Sequence, residues 1–402
     1  MSDVIPAEKQ LAFQDWELGV FLHFGIRTFY EGHHDWDGKP MPAEGFRPSA
    51  LDCDQWVQTA EAAGFRYMVL TAKHHDGFAN WPSRVSDYSV ARTLWKGGKG
   101  DVIREFTDAC RRHGVKAGLY YSPAEVHNRN FRDDPNAYDE HFLTQITELL
   151  AGYGEISVLW FDGCGSDGHQ YDWPRITAEI RRLQPGILIF NMGDPDYRWV
   201  GNEAGVAPLG VSNVVHGRWL PAECDCRMRL RNWFHSDRDE DTVKSLDQLM
   251  GLYYYSVGRG CNLLINIGPD RRGLLPDRDA RALLAFGAEI RRRFGSPVAT
   301  LKDCRRAADR WECEWKQPVL IDHAVIQEEI SRGEHVRRFA VAVSAAPHGT
   351  DPIPVYEGHT IGHKAVCPFP PVEAVKAWVE IRQADGPVDL RALEFHNAAG
   401  RR

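Results

Sequence analysis

A short apolar run, Ser157-Val-Leu-Trp-Phe, stops at Asp162 and passes into Gly163-Cys164-Gly165. A run of this length flanked by glycine reads as a buried parallel strand. A carboxylate at the carboxyl end of such a strand stands where (β/α)8 barrels place their chemistry. The plainer alternative is an Asp that ends a strand and caps a loop. Other runs end in the same manner. Leu18–Gly25 delivers His23, Tyr67–Ala72 opens into Lys73-His74-His75-Asp76, Ala117–Tyr121 ends at Tyr121, and Ile187–Asn191 ends at Asn191. Polar and aromatic tips at successive strand ends all meet at one rim if the strands close into a barrel.

A rim carrying carboxylates, histidines and tryptophans suits glycosidic bond cleavage. That chemistry needs one carboxylate as nucleophile or base and a second carboxyl as general acid. Asp162 is the nucleophile candidate, because a strand end holds it rigidly. The acid must come from another segment, and Glu125, Asp194, Asp196, Glu203 and Glu223 are the candidates. Glu203 lies in Arg198-Trp-Val-Gly-Asn-Glu-Ala-Gly, between glycines, where a loop can approach a substrate closely. Residue pattern alone does not rank it above Glu223 in Trp219-Leu-Pro-Ala-Glu-Cys.

His74-His75-Asp76 invites a metal reading. Adjacent side chains on a strand point to opposite sides and rarely ligate one ion together. Neither H-x-E, H-E-x-x-H nor H-x-H occurs nearby. The two histidines fit better as hydrogen-bonding groups for sugar hydroxyls, and no metal or cofactor is expected.

The elements that must position these residues follow from periodicity. Helical spacing covers Asp52–Gly64, Asp101–His113, Tyr138–Leu150, Trp173–Leu183, Val243–Val257 and Asp277–Phe294. A further strand covers Asn262–Ile267. Strand and helix thus alternate over roughly the first 290 residues, the pattern of a parallel sheet with helices outside. No G-x-G-x-x-G follows any of these strands, which disfavours an open dinucleotide-binding sheet. The alternation fades between Gly193 and Asp239, where helices of the ideal repeat are expected to give way to loops. Near Ser296-Pro297 the texture changes to short β-rich pieces separated by turn residues. The expectation is a (β/α)8-like barrel over residues 1–296 followed by a C-terminal β-sandwich over 297–402.

Composition narrows the partners. The chain has 402 residues and a formal net charge of -8, with no basic block, which excludes a nucleic-acid binder held by phosphate contacts. No apolar run approaches the ~20 residues of a membrane span, so no membrane partner is expected. The 13 Trp include candidates for stacking against sugar rings, although core packing accounts for most. The N-terminus lacks a basic region followed by an apolar one. The 9 Cys are odd in number and form no CxxC pair. Together these features suggest a cytoplasmic protein with free thiols.

Taken as a set, His23-Phe24-Gly25, His74-His75-Asp76-Gly77-Phe78, Tyr120-Tyr121-Ser122, Trp160-Phe161-Asp162-Gly163 and Asn262-Leu-Leu-Ile-Asn-Ile-Gly-Pro-Asp-Arg-Arg-Gly resemble the α-L-fucosidases of glycoside hydrolase family 29. The resemblance runs through the whole barrel in order. Arg198–Gly205, Trp219–Asp225 and Gly358-His-Thr-Ile-Gly-His-Lys are similar to the subgroup that cleaves α-1,3 and α-1,4 fucosyl branches. The resemblance implies a retaining enzyme with Asp162 as nucleophile and Glu203 as acid/base. It implies fucose contacts from His23, Trp36, His74, His75, Tyr121, Trp160 and Arg198, and Glu223 is counted with the substrate-binding residues. The implied substrate is a fucosylated oligosaccharide or glycoconjugate. Two departures from the family stand out: Asp35 precedes Trp36 where many members have Glu, and Cys224-Asp-Cys-Arg-Met-Arg-Leu-Arg-Asn-Trp differs from the usual continuation. The alternatives are a fucose-binding protein without catalysis and a retaining glycosidase for a relative such as L-galactose.

Overall fold

The computed structural model describes residues 4–34, 36–125, 127–345 and 352–400. The barrel strands are β1 (Leu18–Leu22), β2 (Tyr67–Lys73), β3 (Lys116–Tyr121), β4 (Val158–Phe161), β5 (Leu188–Phe190), β6 (Arg198–Trp199), β7 (Ala222–Arg227) and β8 (Asn262–Asn266). They pair in parallel in the order β5-β4-β3-β2-β1-β8-β7-β6. A parallel bridge between Phe190 and Tyr197 brings the two edges together, so the barrel is nearly closed.

Helices follow most strands: α2 (Cys53–Ala63), α3 (Val102–His113), α4 (Pro135–Gly152), α5 (Trp173–Leu183), α6 (Leu246–Tyr255) and α7 (Asp277–Phe294). Local chemistry sets their starts. The side chains of Asp52, Asp101, Asp134 and Asp172 each accept a backbone N–H three residues on, satisfying donors that a helix start leaves open. Among the described residues no helix follows β5 or β6, in line with the loss of periodicity after Gly193.

Side chains alternate between the barrel interior and the helix layer. Phe21, Tyr67, Val69, Tyr120, Val158, Trp160, Leu188 and Leu264 fill the interior. Their neighbours Leu22, Met68, Leu70, Leu119, Tyr121, Leu159, Phe161 and Ile265 pack outward with the helices. The N-terminal helix α1 (Glu8–Trp16) closes the lower end of the barrel. Its Phe13 packs with Tyr67 and Tyr197, and its carbonyl accepts from Asn262 Nδ2 at 2.7 Å. The lower end is therefore filled, and the opposite rim is left for chemistry.

The C-terminal part is an antiparallel seven-stranded sheet beginning at Ala299. Its two longest strands, Arg310–Glu328 and Ala365–Ala384, pair along most of their length with breaks in register after Glu314 and Ile321. Residues from both halves of these strands, such as Trp311 and Ile326, share one apolar core, so the sheet folds over itself. It abuts the barrel through Tyr254 Oη to His323 Nε2 at 2.8 Å and Asn213 Nδ2 to Glu334 Oε2 at 2.8 Å. Cys304 and Cys313 stand directly opposite one another across an antiparallel pair and form a disulfide. This corrects the expectation that every thiol is free: a hairpin register, not a spacing motif, brought the two together.

Candidate active site

A cavity of about 350 Å³ opens at the carboxyl ends of the strands. Asp162, Glu203 and Asp225 face it, with His23, His74 and His75 on one side and Phe21, Tyr120, Trp160, Trp199 and Trp233 among its aromatic walls.

Asp162 follows β4 directly. Its Oδ2 accepts from Tyr120 Oη at 2.8 Å and faces His75 Nε2 at 3.4 Å, while its Oδ1 accepts from the backbone N–H of Cys164 at 2.9 Å. Burial pushes its proton affinity up, but His75, the Cys164 N–H and the Tyr120 hydroxyl outweigh it and hold the carboxyl below its ordinary value. Donors to the charged form keep this group an anion. His75 is itself fixed from behind. Its Nδ1 lies 2.5 Å from Ser122 Oγ, and that hydroxyl is 2.6 Å from the carbonyl of Ala124. A carbonyl only accepts, so the serine proton goes to Ala124 and His75 Nδ1–H donates to Ser122. When Nε2 also donates to Asp162, the ring is an imidazolium paired with the carboxylate.

His23 is held the opposite way. Asn266 donates its amide N–H to the carbonyl of Trp233 at 2.7 Å and accepts from His23 Nδ1 at 2.7 Å. Burial pushes the His23 ring down to about 3, so it stays neutral. With Nδ1 carrying the proton, Nε2 keeps a lone pair that can accept from a hydroxyl. His74, stacked on Tyr120 at 5.4 Å, is also kept neutral by burial.

The third carboxyl, Asp225, comes from β7 and is 3% exposed. Trp199 Nε1–H donates to its Oδ1 at 2.6 Å. Burial, with the negative charges of Glu203 and Asp162 nearby, pushes its carboxyl up to about 7. The cavity therefore joins an anion, Asp162, to a carboxyl that titrates near neutrality instead of near 3.8. Such a divergence is how paired carboxyls divide nucleophilic and acid roles.

Of the residues expected from sequence, Asp162, Glu203, His23, His74, His75 and Trp160 line the cavity. Trp36 stacks on His75 with ring centroids 5.4 Å apart. It also rests against Gly165, where a Cβ would come within 2.0 Å of the indole, so only glycine fits. Asp35 lies outside the described residues.

Three expected contacts are placed elsewhere. Tyr121 does not face the cavity: its hydroxyl donates to Gln145 at 2.6 Å and its ring stacks on Phe142 in the helix layer. The cavity side belongs to its strand neighbour Tyr120, since successive side chains alternate. Arg198 likewise points away and donates to the carbonyl of Ser212 at 3.1 Å, while its neighbour Trp199 faces the cavity. Glu223 lies beneath the cavity rather than in it, taken up by Tyr67 Oη at 2.6 Å and Trp160 Nε1 at 2.9 Å.

Among the other acid candidates, Glu125 is paired with Lys73 at 2.9 Å, Asp196 with Lys9 at 2.7 Å and Asp194 with Arg218 at 2.7 Å, and none of them lines the cavity. Asp225, Tyr120, Trp199 and Trp233 were not singled out. For Asp225 the available signal was its place two residues after Glu223, on the same face of a strand.

A family model described as Alpha-L-fucosidase matches residues 5–292. The chain belongs to the alpha-L-fucosidase family. Alpha-L-fucosidase 1 of Arabidopsis thaliana is 38% identical over 307 residues, a match spanning 70% of this chain and 59% of that protein. Among solved structures, a glycoside hydrolase 29 family member from an unknown rumen bacterium superposes with a TM-score of 0.89 at 32% identity, covering 99% of this chain and 78% of that one. A Ruminococcus gnavus GH29 fucosidase in complex with fucose shares the fold, with a TM-score of 0.86 at 24% identity, covering 99% of this chain and 96% of that one. The chain is thus a glycoside hydrolase of the α-L-fucosidase family, with its barrel and C-terminal sheet arranged as in those structures.

Proposed function

We propose that the protein is a retaining α-L-fucosidase that removes α-1,3- and α-1,4-linked L-fucose from glycans. The observation that carries this reading is the charge division within one cavity: Asp162 is held as an anion by His75, Tyr120 and the Cys164 N–H, and faces a cavity that also presents Glu203 and Asp225.

A terminal fucose enters with its hydroxyls toward the histidine side. His23 Nε2 accepts from one hydroxyl, and His74 and His75 contact others. The C6 methyl rests on the aromatic wall around Trp160, where the polar C6 of L-galactose would leave a hydroxyl against apolar rings. Asp162 attacks the anomeric carbon, forming a glycosyl ester as the bond to the leaving oxygen breaks. Glu203 supplies the proton to that oxygen and then takes one from the water that cleaves the ester. Its place on an exposed loop at the cavity edge suits the side from which the leaving glycan departs. The linkage preference rests on segments 198–205 and 219–225, which bring Trp199, Glu203 and Asp225 to the cavity.

A second assignment of the acid has its own support: Asp225 faces the same cavity and is pushed up to about 7, so it still carries a proton in part of the population at neutrality. The core test is Asp162→Asn. Turnover of an aryl α-L-fucoside is expected to fall about a thousandfold or more, and proton NMR of the wild-type reaction should show the α anomer of fucose first. Substantial residual turnover, or the β anomer first, would refute the mechanism.

A further inference from the structure

A second cavity, of about 620 Å³, lies beside the fucose pocket and shares Trp233 with it. It is formed by the loop after β1 and the loop after β7, so it opens on the same rim. Its charge differs from that of the rest of the molecule. The chain as a whole carries -8, yet this cavity is lined by Arg27, Arg231 and Arg238 with Glu31 as the one carboxylate among the described lining residues. Glu31 is already engaged: Arg271 Nη2 lies 3.0 Å from it, Arg238 Nε lies 3.7 Å away, and Ser236 Oγ donates to it.

Arg231 is exposed, and no carboxylate among the described residues pairs with it. Arg227 supports it from β7. Its guanidinium lies over the Trp233 ring at 5.3 Å and donates to the Arg231 carbonyl at 3.1 Å. It too has no carboxylate partner among the described residues.

Guanidinium groups only donate. A surface built to hold a neutral glycan needs acceptors for sugar hydroxyls as well as donors. The His33 and His235 rings each leave Nδ1 without a partner among the described residues, but the charged groups that lack a carboxylate partner there, Arg231 and Arg227, only donate. A planar fork of N–H groups matches an oxyanion in two parallel bonds. Resting on the fucosidase reading, we propose that this basin binds an anionic substituent, a sulfate ester or a carboxylate, on the glycan from which fucose is removed. Trp233 is the hinge between the two sites: one side of it faces the fucose pocket, and Arg227 covers its ring.

The test uses three matched fucosylated oligosaccharides: one neutral, one carrying a sulfate ester and one carrying a sialic acid carboxylate on the sugar next to the fucosylated residue. At low ionic strength, kcat/KM for at least one anionic substrate should exceed that for the neutral one by about tenfold, the scale of one charge-assisted hydrogen bond. Arg231→Glu should collapse that ratio to one or below, and the two anionic arms distinguish sulfate from carboxylate. Equal or slower turnover of both anionic substrates, or a ratio unmoved by Arg231→Glu, overturns the proposal. Calorimetric titration with the corresponding sulfated and sialylated disaccharides lacking fucose reads the basin without turnover. If aryl fucoside hydrolysis is absent but this binding is present and lost in Arg231→Glu, the hydrolase reading fails and the basin stands. If hydrolysis is present and neither disaccharide binds, the reverse holds.

Discussion

The indole Nε1–H of Trp160, in the wall of the rim cavity, donates to Oε1 of Glu223 beneath it at 2.9 Å. The other oxygen of Glu223 meets Tyr67 Oη at 2.6 Å, and the carboxyl is 1% exposed. Burial pushes it up to about 8, against the pull of both partners. Glu223 therefore acts through Trp160 and sets the plane of that ring. Glu223→Gln keeps an acceptor for the indole and should preserve KM for an aryl fucoside. Glu223→Leu leaves the buried Trp160 N–H unpaired, which costs about 1–3 kcal/mol, and should raise KM more than it lowers kcat. Equal kinetics in the two variants would show that the ring needs no such support.

Tyr120 and Tyr121 separate a chemical role from a packing role at adjacent positions. Tyr120→Phe removes the 2.8 Å donor to Asp162 and should lower kcat by about tenfold or more, as loss of one donor to a charged group does. Tyr121→Phe removes only the bond to Gln145 and should leave kcat unchanged while lowering stability by about 1 kcal/mol. Steady-state kinetics and thermal melts on both variants check the pair. A larger kinetic loss in Tyr121→Phe would reverse the assignment.

The same parity explains what could be read from sequence. Strands such as Tyr67–Lys73 and Val158–Phe161 are buried on both faces, so their existence and the polar residues that follow them were visible. Which of two neighbouring side chains enters the barrel was not, because a strand buried on both faces carries no alternation to register it. Tyr121 was expected on the wrong side for that reason, whereas Arg198 lies on a two-residue strand, Arg198–Trp199, too short to show any alternation. β7 was missed altogether. Its sequence, Ala-Glu-Cys-Asp-Cys-Arg, does alternate, but the side chains facing in are the acids Glu223 and Asp225, and those facing out are Cys224 and Cys226. A strand that buries carboxyls inverts the hydrophobic pattern by which strands are found. The basin around Arg231 was invisible for another reason: it joins loops some two hundred residues apart.

Buried carboxyls also set the response of stability to pH. Glu223 is pushed up to about 8, and Asp225 and Glu334 up to about 7, each by burial first. Between their unfolded values near 4 and these folded values, the native state binds more protons than the unfolded chain. Stability then falls as pH rises. Glu17 and Glu125, held down to about 2 with Lys364 and Lys73 as their main opposing charges, act in the other direction: their contribution is present above pH 4.5 and is lost toward pH 2. His23 and His74, kept neutral in the fold by burial, offset the fall below their unfolded value of 6.5, so the melting temperature should fall from about pH 6.5 toward pH 8.5. Glu334→Gln should flatten that decline. A melting temperature that rises from pH 6.5 to 8.5 would contradict the burial assigned to these groups.

Glu203 and Asp225 make different demands as candidates for the acid. An acid/base residue protonates the leaving oxygen in the first step and activates water in the second. Once it is removed, substrates with poor leaving groups lose the first step, while activated aryl fucosides lose mainly the second. A small anion such as azide can then enter the space left and attack the glycosyl ester without base assistance. Glu203→Ala should retain formation of the ester from an activated substrate, respond to azide with faster turnover, and yield α-fucosyl azide, the product of two inversions. Asp225 is instead clasped by Trp199 at 2.6 Å, an arrangement suited to orienting that indole and keeping a proton between Glu203 and Asp162. Asp225→Asn, which keeps an oxygen for Trp199 and removes the titrating proton, should leave azide without effect and flatten the change in kcat/KM near pH 7. If azide rescues an Asp225→Ala variant and not Glu203→Ala, the roles are exchanged and Asp225 is the acid.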